Sequence, residues 1–102
     1  MIEADITTIK ADLARRIGGI EWRAGPARIA TEVDQIRAIA HRNRMLPAVT
    51  VAHLLETALA RGERGALVHG WLAVLGEAVA CERQDKDASD AFAALCAVRF
   101  LH

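Results

Sequence analysis

The chain has 102 residues and a mass of 11.1 kDa, and its thirteen basic residues balance thirteen acidic ones. That length is one domain's worth, read as a single unit over residues 1–102, and is enough to bury a core without staples. A hydrophobic fraction of 53% excludes intrinsic disorder, and a net charge of zero excludes the broad positive field that non-specific nucleic-acid binding requires.

The charge is unevenly spread. Arg15, Arg16, Arg23, Arg28, Arg37, Arg42 and Arg44 weight the first half positively, while Glu77, Glu82, Asp85, Asp87 and Asp90 weight the last third negatively. Two solvated faces account for this, and complementary ends that pair between protomers are the sharper reading. The opening MIEADITTIK reads as neither a signal peptide nor a transit peptide. No apolar run approaches the roughly 18 residues of a membrane span. Cys81 and Cys96, set among apolar neighbours, read as two reduced, buried thiols of a cytoplasmic protein. The excess of Arg over Lys and the abundant Ala are associated with bacterial genomes rich in G and C.

Taken in chain order, the elements are all helical. Ile2, Ile6, Ile9 and Leu13 recur at steps of four and three, which predicts a helix over about residues 3–17. Gly18 and Gly19 end it. Ile20 and Trp22 then sit in a connection, where they either plug the end of a bundle or grip a ligand. Pro26 suits the first position of a second helix that reaches about Arg44, with Ile29, Val33, Ile36, Ile39 and Ala40 inward. Pro47 stops that helix and opens a third, near residues 48–61, with Val51, Leu55, Ala58 and Leu59 as its stripe. Gly62 and Gly65 bracket a short turn, so the third and fourth helices should be antiparallel neighbours.

The fourth helix, about residues 66–82, has the widest apolar face, running from Leu67 and Val68 to Val79, and is expected at the centre. A polar turn follows, with Asp87 or Ser89 as the N-cap of a fifth helix over about residues 88–101. Phe92, Leu95, Cys96, Val98, Phe100 and Leu101 point in nearly all directions on that helix. It must therefore bury more than one face, either in a second copy or in a deep groove of its own bundle.

Little in the chain resembles a catalytic site. Ser89 is the only serine and sits at a helix start, and neither cysteine lies beside a histidine. His53 and Glu56 form a single His-x-x-Glu, the reverse of the Glu-x-x-His pattern of metal-binding bundles, and read as a solvated pair. His69 and the terminal His102 have no phosphate-friendly neighbours. His41 differs. It belongs to an outward stripe with Asp34, Arg37 and Arg44, and a histidine between two arginines could accept or hold a phosphoryl group.

Ala40-His41-Arg42-Asn43-Arg44 resembles the start of the active-site motif of histidine phosphotransfer domains, with Arg44 where that family has lysine. Met45 stands in place of the family's glycine, and Pro47 follows too closely. The later run from Leu54 to Glu63 is similar to that family's next helix and turn. Residues 37–51 also look like the last turns of helical chorismate mutases, whose long first helix is broken here at Gly18-Gly19 and Gly25-Pro26. Two unrelated families match the same residues, so the chain is assigned to neither.

The reading is therefore an all-α protein, a compact antiparallel bundle of four to five short helices. It is expected to act by protein–protein interaction or self-association rather than catalysis, with Phe92, Leu95, Val98 and Leu101 at the interface. The expected partner is a second copy or an unidentified protein, with no cofactor, metal, nucleic acid or membrane. The alternative is a phosphotransfer or phosphate-sensing role for His41, with Arg37 and Arg44 as phosphate contacts.

Overall fold

Glycine, proline and one unusual arginine set the first three breaks between helices, and a polar turn ending at Asp85 sets the fourth. The computed structural model of the chain describes residues 5–100. It holds α1 (Ile6–Gly18), α2 (Pro26–Arg42), α3 (Leu46–Ala60), α4 (Ala66–Ala80) and α5 (Lys86–Phe100), and among the described residues there is no strand. No described helix is long and apolar enough to cross a membrane.

The ends of α2 and α3 share one closing motif. At α3, Gly62 turns left-handed at φ 93°, its N–H donates to the Leu59 carbonyl, and the Glu63 N–H reaches the Ala58 carbonyl. At α2 the same two bonds run from Arg44 to His41 and from Met45 to Ala40, with Arg44 at φ 56° in the left-handed position. This is the Schellman arrangement, in which glycine is the usual residue. Met45 then drops into the core with none of its surface exposed. The second helix thus stops at Arg42, two residues before the expected Arg44, because Arg44 is the turn.

Long-range contacts orient the helices. Lys10 Nζ on α1 donates to the Cys81 carbonyl just past α4, at 2.7 Å, while Trp22, just past α1, meets His69 near the start of α4. Those two helices are therefore antiparallel. The Thr50 and Ser89 hydroxyls, near the starts of α3 and α5, are hydrogen-bonded at 2.5 Å, so α5 runs parallel to α3. At the other end of α5, Phe100 stacks on Trp71 of α4. Helices α1 to α4 close a ring in which each touches its two ring neighbours, and α5 lies along the outside of α3 and α4.

The core follows from the helical repeat. Leu13, Ile36, Leu55 and Leu75 are fully or almost fully buried, each contributing roughly 1.5–3 kcal/mol. The centre is shared: α3 packs against α2, α4 and α5, and α4 against α1, α3 and α5. Ala48, Ala52 and Ala58 of α3 are buried, and their short side chains let neighbours approach on several sides. Leu67, expected inward, is instead 50% exposed, because the inward side of α4 centres on Val68, Trp71 and Leu75. Glu3, where the first helix was expected to begin, and Ile2 of its apolar repeat lie outside the described residues.

The start of α5 also differs from expectation. Its cap is Asp85, whose carboxylate accepts the Ala88 N–H at 2.9 Å. The helix therefore opens at Lys86, and Ser89 is a buried partner of Thr50 rather than a cap.

Candidate functional site

Three groups of residues were expected to carry function: the faces of α5, the stripe around His41, and the Ile20–Trp22 connection. On α5, successive side chains turn by about 100° around the axis. Ala88, Ser89 and Cys96 consequently face the bundle and are buried, while Phe92, Leu95 and Phe100 are half-buried and packed against the core. The opposite side carries Ala91, Ala94, Ala97 and Val98, all exposed, with Val98 at 74%. Much of the apolar circumference of this helix is thus taken up by the groove of its own bundle. Of the four expected interface residues, Val98 points fully outward, Phe92 and Leu95 are shared with the core, and Leu101 lies outside the described residues.

The cysteines are both free. Cys96 is buried on the inner side of α5, and burial pushes its thiol above the ordinary range, partly offset by the nearby positive charge of Arg99. Cys81 is half-buried at the end of α4. Its carbonyl accepts from both Lys10 Nζ and Gln84 Nε2, so this backbone position ties three segments together.

His41 is exposed near the end of α2. Arg37, one turn earlier, is committed elsewhere: Nη2 donates to Asp34 Oδ1 at 2.5 Å, and Nε donates to both Glu56 oxygens at 3.2 Å. The hydrogen bond that Arg37 donates to Asp34, then its bond to Glu56 and that group's charge, raise the Arg37 pKa above its ordinary range. Two carboxylates on one guanidinium leave it little net attraction for a phosphate. Arg44 is exposed, in its left-handed turn, and makes no ion pair among the described residues. Glu56 therefore belongs to an α2–α3 ion pair, while His53 is exposed. Among the described residues no three His, Cys, Asp or Glu side chains form a group able to hold a metal ion.

The Ile20–Trp22 connection divides in two. Ile20 is buried at 9% exposure and closes the end of the bundle. Trp22 is only half-buried: its ring lies 5.3 Å from that of His69, tilted by 45°, with the Arg23 guanidinium 4.2 Å above the Trp22 ring centre. Sequence reasoning missed His69 here. No local pattern reports it, because its partner is 47 positions away and arrives only when α1 and α4 pack.

Comparison with known protein families, curated proteins and solved structures finds no match.

Proposed function

We propose that the protein acts by binding rather than catalysis, and that it self-associates through the outer face of α5. The observation that carries this reading is Val98, 74% exposed within the uncharged run from Ala91 to Val98. A second copy suits this face. Asp87 and Asp90 at the start of α5 are already paired, Asp87 with Arg83 at 3.8 Å and Asp90 with Lys86 at 2.7 Å, so charge does not select the partner. The small side chains of Ala91, Ala94 and Ala97 beside Val98 let an identical helix approach closely. A 15-residue helix is about 22 Å long and about 10 Å across, so the face covers roughly 220 Å², small against the roughly 800 Å² per partner of a stable dimer. The association is accordingly weak and concentration-dependent.

Sedimentation equilibrium tests it. The wild-type chain is expected to shift from monomer toward dimer between about 10 μM and 1 mM, and Val98→Asp, which alters only an exposed position, to remain monomeric. A wild-type chain that stays monomeric throughout that range removes the reading.

One observation favours a second reading, phosphate sensing at His41: an exposed arginine, Arg44, holds a left-handed position that glycine would occupy more cheaply, next to an exposed histidine. With Arg37 paired to Asp34 and Glu56, this reading rests on His41 and Arg44 alone. NMR titration of the histidine ring signals, with and without phosphate, tests it. Phosphate should move His41 selectively in the wild type and not in Arg44→Gly. A His41 signal indifferent to phosphate ends this reading.

A further inference from the structure

The Trp22–His69 pair stands beside a cleft of about 230 Å³ formed by Ile17, Gly18, Ile20, Leu72 and Ala73 together with the two rings. We propose that this cleft binds a small aromatic carboxylate. The inference is independent of the α5 face.

Size limits the occupant first. The cleft is smaller than the roughly 300–1,000 Å³ that encloses drug-sized ligands, which leaves room for one or two fused rings and not for a length of peptide. Its chemistry comes next. Ile17, Ile20 and Leu72 supply branched aliphatic surface, and among the described residues no acidic one lines the cleft. The Trp22 and His69 rings are tilted rather than stacked, an arrangement that accepts a third ring at an edge or a face. Trp22 is not needed as the plug of the bundle, because Ile20 already closes that end. A large aromatic side chain is therefore held half in solvent at the margin of an apolar cleft.

The negative charge follows from Arg23. Arg23 does not line the cleft, but its guanidinium lies over the Trp22 ring at the margin and its side chain is 71% exposed, free to turn toward a bound anion. Its present counter-ion is Glu21, 65% exposed, whose Oε1 accepts the Arg23 backbone N–H at 3.0 Å but lies 4.0 Å from the guanidinium, a loose side-chain pair that a carboxylate ligand can displace. Arg15 and Arg16, in the last turn of α1, are both held by Asp12 and take no part. An arginine presents its donors as a planar fork that matches a carboxylate, so an acid is preferred over a neutral molecule of the same shape.

The chain contains two tryptophans that report separately, since Trp71 is fully buried and Trp22 is not. The experiment follows both indole N–H signals by NMR while the full chain is titrated with 2-naphthoate and, separately, with 2-naphthylmethanol. Trp22 is expected to shift saturably with 2-naphthoate while Trp71 stays in place. The neutral alcohol should bind about three- to fivefold more weakly, the loss expected for one exposed cationic contact. Arg23→Gln should bring the acid down to the affinity of the alcohol. Ala73→Leu fills the cleft from an exposed helix position and should abolish binding, with an unmoved Trp71 signal showing that the bundle is intact. The proposal is overturned by the absence of a saturable Trp22 shift, by equal affinity for acid and alcohol, or by undiminished binding in Ala73→Leu.

Discussion

Phe100 lies nearly flat on Trp71, with ring centres 4.3 Å apart and planes 23° apart, and this stack anchors the end of α5 to the start of α4. Trp71 is fully buried, and its Nε1–H has no hydrogen-bond partner among the described residues, so the ring is held by packing. A Cβ added at Gly70 would sit 3.2 Å from Phe100 Cε1. The small residue beside the tryptophan is what admits the phenyl ring.

Removing the ring should therefore loosen the last turns of α5. Phe100→Ala is expected to lower stability by about 2–3 kcal/mol, below the full core value because Phe100 is only half-buried. Two glycine replacements in α4 provide the comparison. Nothing lies within 4 Å of a Cβ at Gly76, so Gly76→Ala should stabilise by roughly 0.5–1 kcal/mol through helix propensity. Gly70→Ala should gain less than that, because its Cβ presses on Phe100. Urea unfolding of the three variants measures all of these, and a larger gain at Gly70 than at Gly76 contradicts the packing argument.

The left-handed turn at Arg44 makes an unusual prediction for a charged surface residue. Arg44→Gly should stabilise the chain by about 0.5–1 kcal/mol, since glycine adopts that conformation without the strain on Cβ. Loss of unfolded-state restriction offsets part of the gain. At Gly62, which holds the same place after α3 at φ 93°, the reverse change to alanine should destabilise. Thermal unfolding of both variants decides the matter, and a destabilised Arg44→Gly would mean that the arginine side chain makes a contact worth more than the strain.

Asp85 should show its role through pH. Its carboxyl is held below the ordinary value of 3.8, first by the Ala88 N–H and then by the hydrogen bond from Arg83. A folded-state value below the unfolded one means that the stabilisation is present above the unfolded pKa and is lost as pH falls through the folded value. Asp85→Ala should therefore lower the urea midpoint at neutral pH, and the difference from wild type should shrink as the solution becomes acidic. An unchanged midpoint at neutral pH would show that the cap contributes nothing.

The two thiols should separate by reactivity. Cys81 is half-buried and should react with Ellman's reagent in the native state, whereas Cys96 should wait for unfolding and react at least about 100-fold more slowly. The raised Cys96 pKa has a further consequence. Its stabilising effect is complete below the unfolded-state pKa and is lost as pH rises through the folded value, so wild-type stability should decline in alkali more than that of Cys96→Ala. Equal labelling rates for the two cysteines would place α5 off the bundle in solution.

Much of the architecture is legible without coordinates, and the reasons are local. Gly18-Gly19, Gly25-Pro26, Pro47 and Gly62 punctuate the first three breaks between helices, because each acts on the backbone of its own neighbourhood, while the break after α4 carries only polar residues and Cys81. Boundaries slipped where a side chain took an unexpected local role. Arg44 formed a turn where glycine is usual, and Asp85 capped α5 in place of Asp87 or Ser89. Leu67 shows the limit of counting apolar residues around a helix: a face close to half a circumference wide exceeds what its neighbours cover, and the residue at its margin remains in water.

The sequence by itself determined the all-α class, the order and approximate extent of five helices, and most of the core, including Val33, Ile36, Val51, Leu55 and Leu75. The 3.6-residue repeat and the helix breakers act over a few residues, so they are written along the chain. Only the tertiary structure decided that the groove of α3 and α4 takes up Phe92, Leu95 and Phe100 while Val98 faces out, that Arg37 is paired with Glu56, and that Trp22 meets His69 beside an open cleft. Those relationships join residues up to 47 positions apart in the two ring pairs and ion pair. They exist only because the helices pack in one arrangement, which no local pattern encodes.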